Sequence, residues 1–315
     1  MEPAKTFPKQ SACLYNECLP PYREIQSSMA LSSPSLPQTP PPASPRWIAA
    51  YRNSTPVLRL SFWLHAAGLI GLVLAPAHWP WILGLLVINH ALLTGAVLTP
   101  RGRLLGPNLL QLPKVAAQRG EVALTFDDGP DPEVTPQVLD LLDRYGAHAS
   151  FFCIGERAAQ HPEIIQDIIR RGHSVENHTH RHPHAFACFT PAMLRHEISA
   201  ASAAIEAAAG SRPRFFRAPM GFRSPFLDAA MHATGLRYAA WTRRGFDAVQ
   251  DDADEISRRL LDGLTAGDIL LLHDGLSGKR GPGHPVVLAV LPMLLTALRD
   301  RGLRAVSLRT AFAEH

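Results

Sequence analysis

From residue 119 onward, short apolar runs alternate with amphipathic stretches. "EVALTF", "HASFFCIG", "HSVENH", "RFFRAP", "LRYAAWT", "DILLLHD" and "LRAVSL" are largely hydrophobic segments of strand length. That is the pattern of strands buried on both faces. Between them, "TPQVLDLLDRYG", "HPEIIQDIIRRG", "TPAMLRHEISAASAAIEAAAG", "SPFLDAAMHATG", "ADEISRRLLDGL" and "PVVLAVLPMLLTALRDRG" read as helices. Several have proline near the start and most end in glycine, as helix boundaries do. About seven alternations predict a parallel α/β barrel or a doubly wound sheet. In either architecture, chemistry belongs at the C-terminal ends of the strands. Polar residues gather there: Asp127 and Asp128 after the first strand, His178 and His182 after the third, Arg217 after the fourth, Asp247 after the fifth, His273 after the sixth.

Upstream the texture differs. Residues 60–77, "LSFWLHAAGLIGLVLAPA", and 79–98, "WPWILGLLVINHALLTGAVL", are each near the ~20 residues needed to span a bilayer. They predict a tight hairpin, with Trp63, Trp79 and Trp81 suited to interfacial anchoring. His65, Asn89 and His90 keep open a pair of buried soluble helices instead. Arg46, Arg52 and Arg59 precede the hairpin, and Arg101, Arg103 and Lys114 follow it. The positive-inside count favours the cytoplasm for both flanks of a two-pass protein of a bacterial inner membrane. Residues 1–56, with "SSPSLPQTPPPASP", read as a disordered Pro/Ser-rich tail without a secretory-signal pattern; Met29 offers an alternative start. The expected organisation is tail 1–56, transmembrane hairpin 57–100, linker 101–118 and an α/β domain 119–315.

Composition narrows the partners. The 315 residues carry a formal charge of +4, and no basic run reaches five residues, which argues against nucleic acid. No protein partner is expected. A mildly basic face toward anionic lipid or a phosphorylated substrate stays open. The cysteines at 13, 18, 153 and 188 form no CxxC pair and read as buried or incidental thiols.

In "NHTHRHPH" (177–184), His178 and His182 are four apart. On a helical turn both imidazoles would face one way, a spacing that suits two ligands of one divalent metal. Asp127 or Asp128 can supply a third. One carboxylate and two imidazoles leave coordination positions open, the mark of a catalytic metal. The second carboxylate is then available as a base. A buried Arg217 needs a carboxylate partner, for which Asp127 and Asp247 are candidates.

"TFDDGP", "HTHRH", "RAPMG", the aspartate at 247 and "LLLHD" resemble, in order, the five motifs of polysaccharide deacetylases, the NodB-homology domains of carbohydrate esterase family four. The resemblance covers roughly residues 119–312. It implies a distorted (β/α) barrel of about seven parallel strands. It implies Asp127 as general base and Asp128, His178 and His182 as the metal triad, most often for Zn2+, with Co2+, Ni2+ or Mn2+ as alternatives. Arg217 would orient the base, Asp247 would hold that arginine, and His273 would be the general acid. Pro219, Met220, Gly221, Leu271 and Trp241 would contact substrate, with Leu271 lining the acetyl pocket and a backbone N–H near Met220 assisting the oxyanion. The implied reaction is hydrolysis of the N-acetyl group of an amino sugar in a poly- or oligosaccharide.

Two positions depart from the family pattern. Met220 stands where an aromatic usually follows the third-motif proline, and Ala248 where tryptophan usually follows the fourth-motif aspartate. Both concern pocket walls and leave the substrate open. Arg243 and Arg244 add positive charge near the expected rim, which would favour an anionic or lipid-phosphate-linked substrate. Two alternatives stand beside the glycan reading: a deacetylase or deformylase of a lipid-linked amino sugar at the inner membrane, and a catalytically inactive carbohydrate-binding module.

Overall fold

The computed structural model describes residues 54–275 and 285–313. The stretch read as a tail lies outside the described residues up to position 53, together with Met29, Cys13, Cys18, Arg46 and Arg52. The strands are β1 (Glu121–Asp127), β2 (Ser150–Cys153), β3 (Ser174–Asn177), β4 (Phe215–Phe216), β5 (Arg237–Tyr238), β6 (Arg243–Arg244), β7 (Ile269–His273) and β8 (Arg304–Val306). All pairings between them are parallel, in the order β5-β4-β3-β2-β1-β7-β6. β8 pairs with the first half of β1, beside the segment that pairs with β2. Seven of these strands are the apolar runs read from the sequence; the eighth is the short Arg243–Arg244 pairing.

The helices are α1 (Pro56–Leu74), α2 (Trp79–Val97), α3 (Lys114–Gln118), α4 (Thr135–Arg144), α5 (Gly155–Gln160), α6 (Pro162–Arg170), α7 (Pro191–Ala209), α8 (Leu227–Thr234), α9 (Ala253–Leu261), α10 (Val286–Asp300) and α11 (Leu308–Ala311). β1 is buried along its whole length. Its side chains alternate: Val122, Leu124 and Phe126 join the core that α4, α6 and α10 cover. Ala123 faces the second core, inside the curl of the sheet, with Phe152, Phe216, Trp241 and Leu271. Thr125 and Asp127 share the inward parity of Ala123, so the last residue of β1 presents a carboxylate to the interior. α7 is started by the Thr190 hydroxyl, which accepts from the Met193 N–H, and ended by Gly210 in the left-handed conformation.

The segment expected to be a linker is bonded into the barrel. Leu109 exchanges backbone hydrogen bonds with Tyr238 and Ala240, and the Leu112 N–H donates to Gly267. Residues 109–112 thereby fill the gap left beside β5, where the strand ladder does not close. Just upstream, the buried Arg223 guanidinium donates to the carbonyls of Gly102, Leu105, Gly106 and Pro107 and lies 4.4 Å from the Tyr238 ring. Asn108 donates to Pro100 and Gly102. The chain leaving α2 is thus fastened to the barrel within a few residues.

α1 and α2 are long and apolar enough to cross a membrane, by length and composition, and few of their residues are fully buried. Gly68 and Gly71 sit against Ile82, where an added Cβ would come within 3.1 Å, so the two helices approach closely. The polar residues that suggested a soluble pair meet across this contact. Asn89 donates to the Ser61 hydroxyl at 2.9 Å, and the His65 and His90 Nε2 atoms are 3.2 Å apart. Interhelical polar pairing of this kind is compatible with hydrocarbon surroundings.

Replacing Arg223 with methionine removes the donor shared by four backbone carbonyls, of which that of Leu105 is fully buried. The expected cost is roughly 2–4 kcal/mol, read as a lower Tm together with new proteolytic cleavage between residues 100 and 108. Unchanged cleavage would show that the tether does not depend on this side chain.

Candidate active site

Five non-glycine residues among those described have positive φ: Asp128 (74°), Thr179 (67°), His182 (54°), Met220 (55°) and Phe246 (66°). All five lie just beyond the C-terminal ends of strands. Each such conformation costs on the order of 1–3 kcal/mol and persists where its surroundings impose it. Here they surround one buried cluster of titratable groups.

Asp127 ends β1 and Asp128 turns away from it in the left-handed conformation, so the adjacent carboxylates diverge. Asp127 Oδ1 accepts from Arg217 Nη1 at 2.6 Å, and Oδ2 lies 4.0 Å from His178 Nε2. Asp128 Oδ1 is 3.2 Å from His178 Nε2 and 3.1 Å from His182 Nε2. His178 Nδ1 lies 2.9 Å from the Arg217 carbonyl. A carbonyl only accepts, so Nδ1 carries the proton and Nε2 presents its lone pair to Asp128. Asp128 Oδ1 is buried and receives no hydrogen bond in the absence of imidazole N–H donors. One carboxylate oxygen and two imidazole nitrogens, all within 4.8 Å of one another, therefore converge on a common point. This donor set fits a divalent cation of the Zn2+ type.

The electrostatics favour positive charge at that point. Burial pushes the Asp128 carboxyl up, but His178 and His182 outweigh it and hold it well below the usual carboxylate range. Burial likewise opposes charge on His178, and Asp127 and Asp128 reverse the balance upward.

The four-residue spacing of the two histidines is not reached by a helical turn. β3 ends at Asn177, and Thr179 and His182 in left-handed conformations fold the "HTHRH" segment into a loop. Glu197 of α7 fastens it, its Oε2 accepting from the N–H groups of His180 and Arg181 at 3.0 Å each. The Asn177 side chain accepts from the Thr179 N–H, and the Thr179 hydroxyl from the His182 N–H.

Arg217 has no exposed surface and lies 4.1 Å over the Phe152 ring. Its carboxylate partner is Asp127. The expectation that Asp247 holds Arg217 is corrected: Asp247 Oδ1 is 2.9 Å from His273 Nδ1, and Oδ2 accepts from the His273 N–H at 2.7 Å. The cause is register. β6 pairs with β7, Arg244 opposite Leu271, so the residues following β6 run alongside His273. β4, which Arg217 directly follows, stands near the other edge of the sheet order. Burial disfavours charge on His273, but Asp247 raises its pKa to about 9.

Leu271, Trp241, Pro219 and Gly221 are buried around this cluster, and Met220 is exposed at its rim. An added Cβ on Gly221 would meet Trp241 at 2.5 Å, which explains the glycine. The paired arginines separate. Arg243 is engaged by Asp268 and by the carbonyls of Asp262 and Gly263. Arg244 shares the parity of Leu271 and lies over Trp241 and Phe246. Only Arg244 keeps a place near the rim.

Sequence reasoning missed three contributors. Asp274 is fully buried, accepts from the Thr135 hydroxyl at 2.6 Å, and is pushed by burial up to about 7. Its adjacency to His273 was a visible signal. Arg157 Nη1 donates to the carbonyls of Asp128 and Gly275, pinning two loops that carry site residues. Glu197 sits on the apolar face of α7 between Leu194 and Ala201, where an unpaired acid would be out of place.

The sequence model of the polysaccharide deacetylase family matches residues 114–239. A chitooligosaccharide deacetylase of a Bradyrhizobium species is 37% identical over 188 residues, covering 58% of this chain and 85% of the relative. The chain belongs to the polysaccharide deacetylase family. A peptidoglycan-N-acetylglucosamine deacetylase of Bacillus cereus is 32% identical over 188 residues, covering 59% of this chain and 85% of that protein. The crystal structure of the Bc1960 peptidoglycan N-acetylglucosamine deacetylase superposes with a TM-score of 0.57 at 30% identity, covering 65% of this chain and 92% of the other. The deacetylase family fold, a distorted (β/α) barrel, is the one described above.

The two adjacent acids give opposite expectations in metal binding. Asp128→Asn should lower zinc affinity at least about tenfold, whereas Asp127→Asn should keep the metal. Metal content after dialysis against a zinc buffer reads the difference, and the reverse pattern would exchange the two assignments.

Proposed function

We propose that this deacetylase hydrolyses the N-acetyl group of an N-acetylated amino sugar, using a divalent metal, most often Zn2+, held by Asp128, His178 and His182. The observation that carries the reading is the opposed pair of buried groups flanking the cluster: a carboxylate fixed by Arg217 on one side and an imidazole fixed by Asp247 on the other. The names of the relatives, which specify chitooligosaccharide and peptidoglycan deacetylation, support the substrate class. The complete set of base, acid and cation donors argues against an inactive binding module.

The bound metal would supply Lewis acidity to the amide carbonyl and to the attacking water. Asp127 is oriented by Arg217 through Oδ1, which leaves Oδ2 on the side of the cluster to accept the water proton. The left-handed Met220 places its own backbone N–H at the rim, where it can stabilise negative charge on oxygen; Pro219 has no N–H and the Gly221 N–H donates to Ala218. Asp247 accepts from Nδ1 of His273 and raises its pKa to about 9, so near neutral pH the ring is doubly protonated and Nε2 carries the proton donated to the departing sugar amine. C–N cleavage then leaves acetate and a free amino sugar. Leu271 and Trp241 wall the acyl pocket.

We further propose that α1 and α2 anchor the enzyme in a membrane as a hairpin over residues 57–100, with the barrel of residues 119–315 at one face. Both ends of the hairpin adjoin the barrel, and the positive-inside count favours the cytoplasmic face. A reporter fused after residue 315 tests the side.

Purified full-length protein loaded with zinc should release acetate from N-acetylglucosamine oligomers, and Asp127→Asn should abolish turnover. Absence of acetate or formate release from any N-acylated amino sugar, with metal bound, would overturn the reading. His273 acts as an acid, so activity falls as pH rises through its pKa, which Asp247 raises. Asp247→Asn should move the alkaline limb of kcat to lower pH; an unmoved limb would assign it to another group.

A further inference from the structure

Between the hairpin and the barrel lies an open apolar groove of ≈ 890 Å³, within the range of roughly 300–1,000 Å³ typical of small-ligand sites. One wall is α1 and α2, through Leu58, Phe62, Leu93 and Val97. The other is built from the loop after His182 and the turn after Arg217: His184, Ala187, Met220, Phe222 and Phe226. Met220 and Phe226 are exposed by 40% and 46%, large values for apolar side chains on a folded barrel. The same two loops carry a cation ligand and the proposed oxyanion turn, so the groove leads to the rim of the active site.

We infer that this groove holds the hydrocarbon chain of an amphipathic substrate, whose N-acylated amino sugar then lies over Asp127, Asp128 and His273. The inference rests on the deacetylase reading and on the hairpin lying in a membrane. Three features commit the groove to a lipid chain. Its hairpin wall belongs to helices whose remaining surface is apolar and exposed, so the groove is continuous with the medium that covers them. Its barrel wall carries Met220, a flexible apolar side chain that can adapt to an alkyl chain. The spacing of the walls is fixed: Arg223 and Asn108 tie the exit of α2 to the barrel, Arg101 donates to the Thr242 carbonyl, and Pro100 packs on Gly221. A chain entering sideways from a bilayer would reach the active-site rim without crossing water. Arg244, with its Nε buried and without a hydrogen bond, adds a cation near that rim.

The test uses full-length protein in lipid nanodiscs with alkyl N-acetylglucosaminides of increasing chain length, and a tail-free N-acetylglucosamine oligomer as reference. Acetate release should show a KM that falls about tenfold or more between butyl and octyl tails. Leu93→Trp and Ala187→Trp, which fill the groove from opposite walls, should each erase that gain while leaving the tail-free reaction unchanged. An alkyl glucosaminide bearing a terminal diazirine should cross-link to both walls, at residues 90–97 and 184–226, independently of turnover. Turnover of the tail-free oligomer with no dependence on tail length overturns the groove assignment alone. Cross-links confined to the outer hairpin surface, to the chain's own residues 1–53 or to a second copy also overturn it, because the groove then has another occupant. No acetate release from either substrate overturns the deacetylase reading, and cross-linking at both walls would still place a lipid in the groove.

Discussion

Arg217 sits at the end of a two-residue strand with its side chain wholly buried, and it makes four directed hydrogen bonds. Nε and Nη2 donate to the carbonyls of Ala239 and Ala240, and Nη1 to Thr125 and Asp127. Its own carbonyl accepts from His178. One residue therefore joins β4 to β1 across the interior, fixes the rotamer of Asp127, the proposed base, and fixes the tautomer of His178, a proposed cation ligand. A buried guanidinium is costly to desolvate and tolerable only when its donors are matched. That requirement ties the curl of the sheet to the geometry of the site: a flatter sheet would leave Arg217 short of Asp127. It also lets Asp127 and Asp128 be adjacent and buried, because Arg217 engages the first while the backbone turn directs the second toward His178 and His182.

Buried acids elsewhere in the barrel make a useful contrast. Glu176 accepts from the N–H groups of Arg214 and Phe215 and pairs with Arg309 at 2.7 Å. Its lone pairs are occupied, and it serves to hold β4 and α11 in place. Asp128 is also deeply buried, yet its Oδ1 lies 3.2 Å and 3.1 Å from the Nε2 atoms of His178 and His182. A buried carboxylate oxygen converging with two imidazole nitrogens is a donor set that suits a cation.

The local periods of the chain placed every long helix and seven strands, because buried parallel strands and amphipathic helices differ strongly in pattern. The strand-end positions of Asp127, His178, Arg217 and His273 followed from that. The partners did not. Whether Asp247 meets Arg217 or His273 depends on which strand lies beside β7, a long-range pairing on which local hydrophobicity is silent. The "HTHRH" spacing is equally compatible with a helix and with a loop of two left-handed residues, and only the contact with Glu197 from α7 selects the loop. Arg157 and Arg223 look like any surface arginine in the sequence, since their acceptors are backbone carbonyls, which every residue has.

The segment between hairpin and barrel follows the same logic. Residues 101–118 are rich in turn formers, and composition alone describes a spacer. In the fold, Arg223 converts the carbonyls of such a stretch into ligands, and Leu109 and Leu112 complete the open edge beside β5. A flexible spacer would let the active-site mouth take any orientation toward a membrane. A bonded one fixes it, so that Met220 and Phe226 stay beside α1 and α2. The rim of the site is then defined as much by the hairpin as by the barrel. The barrel side of that rim, Met220 and Phe226, lies within residues 114–239 that match the family, and the hairpin side lies outside them.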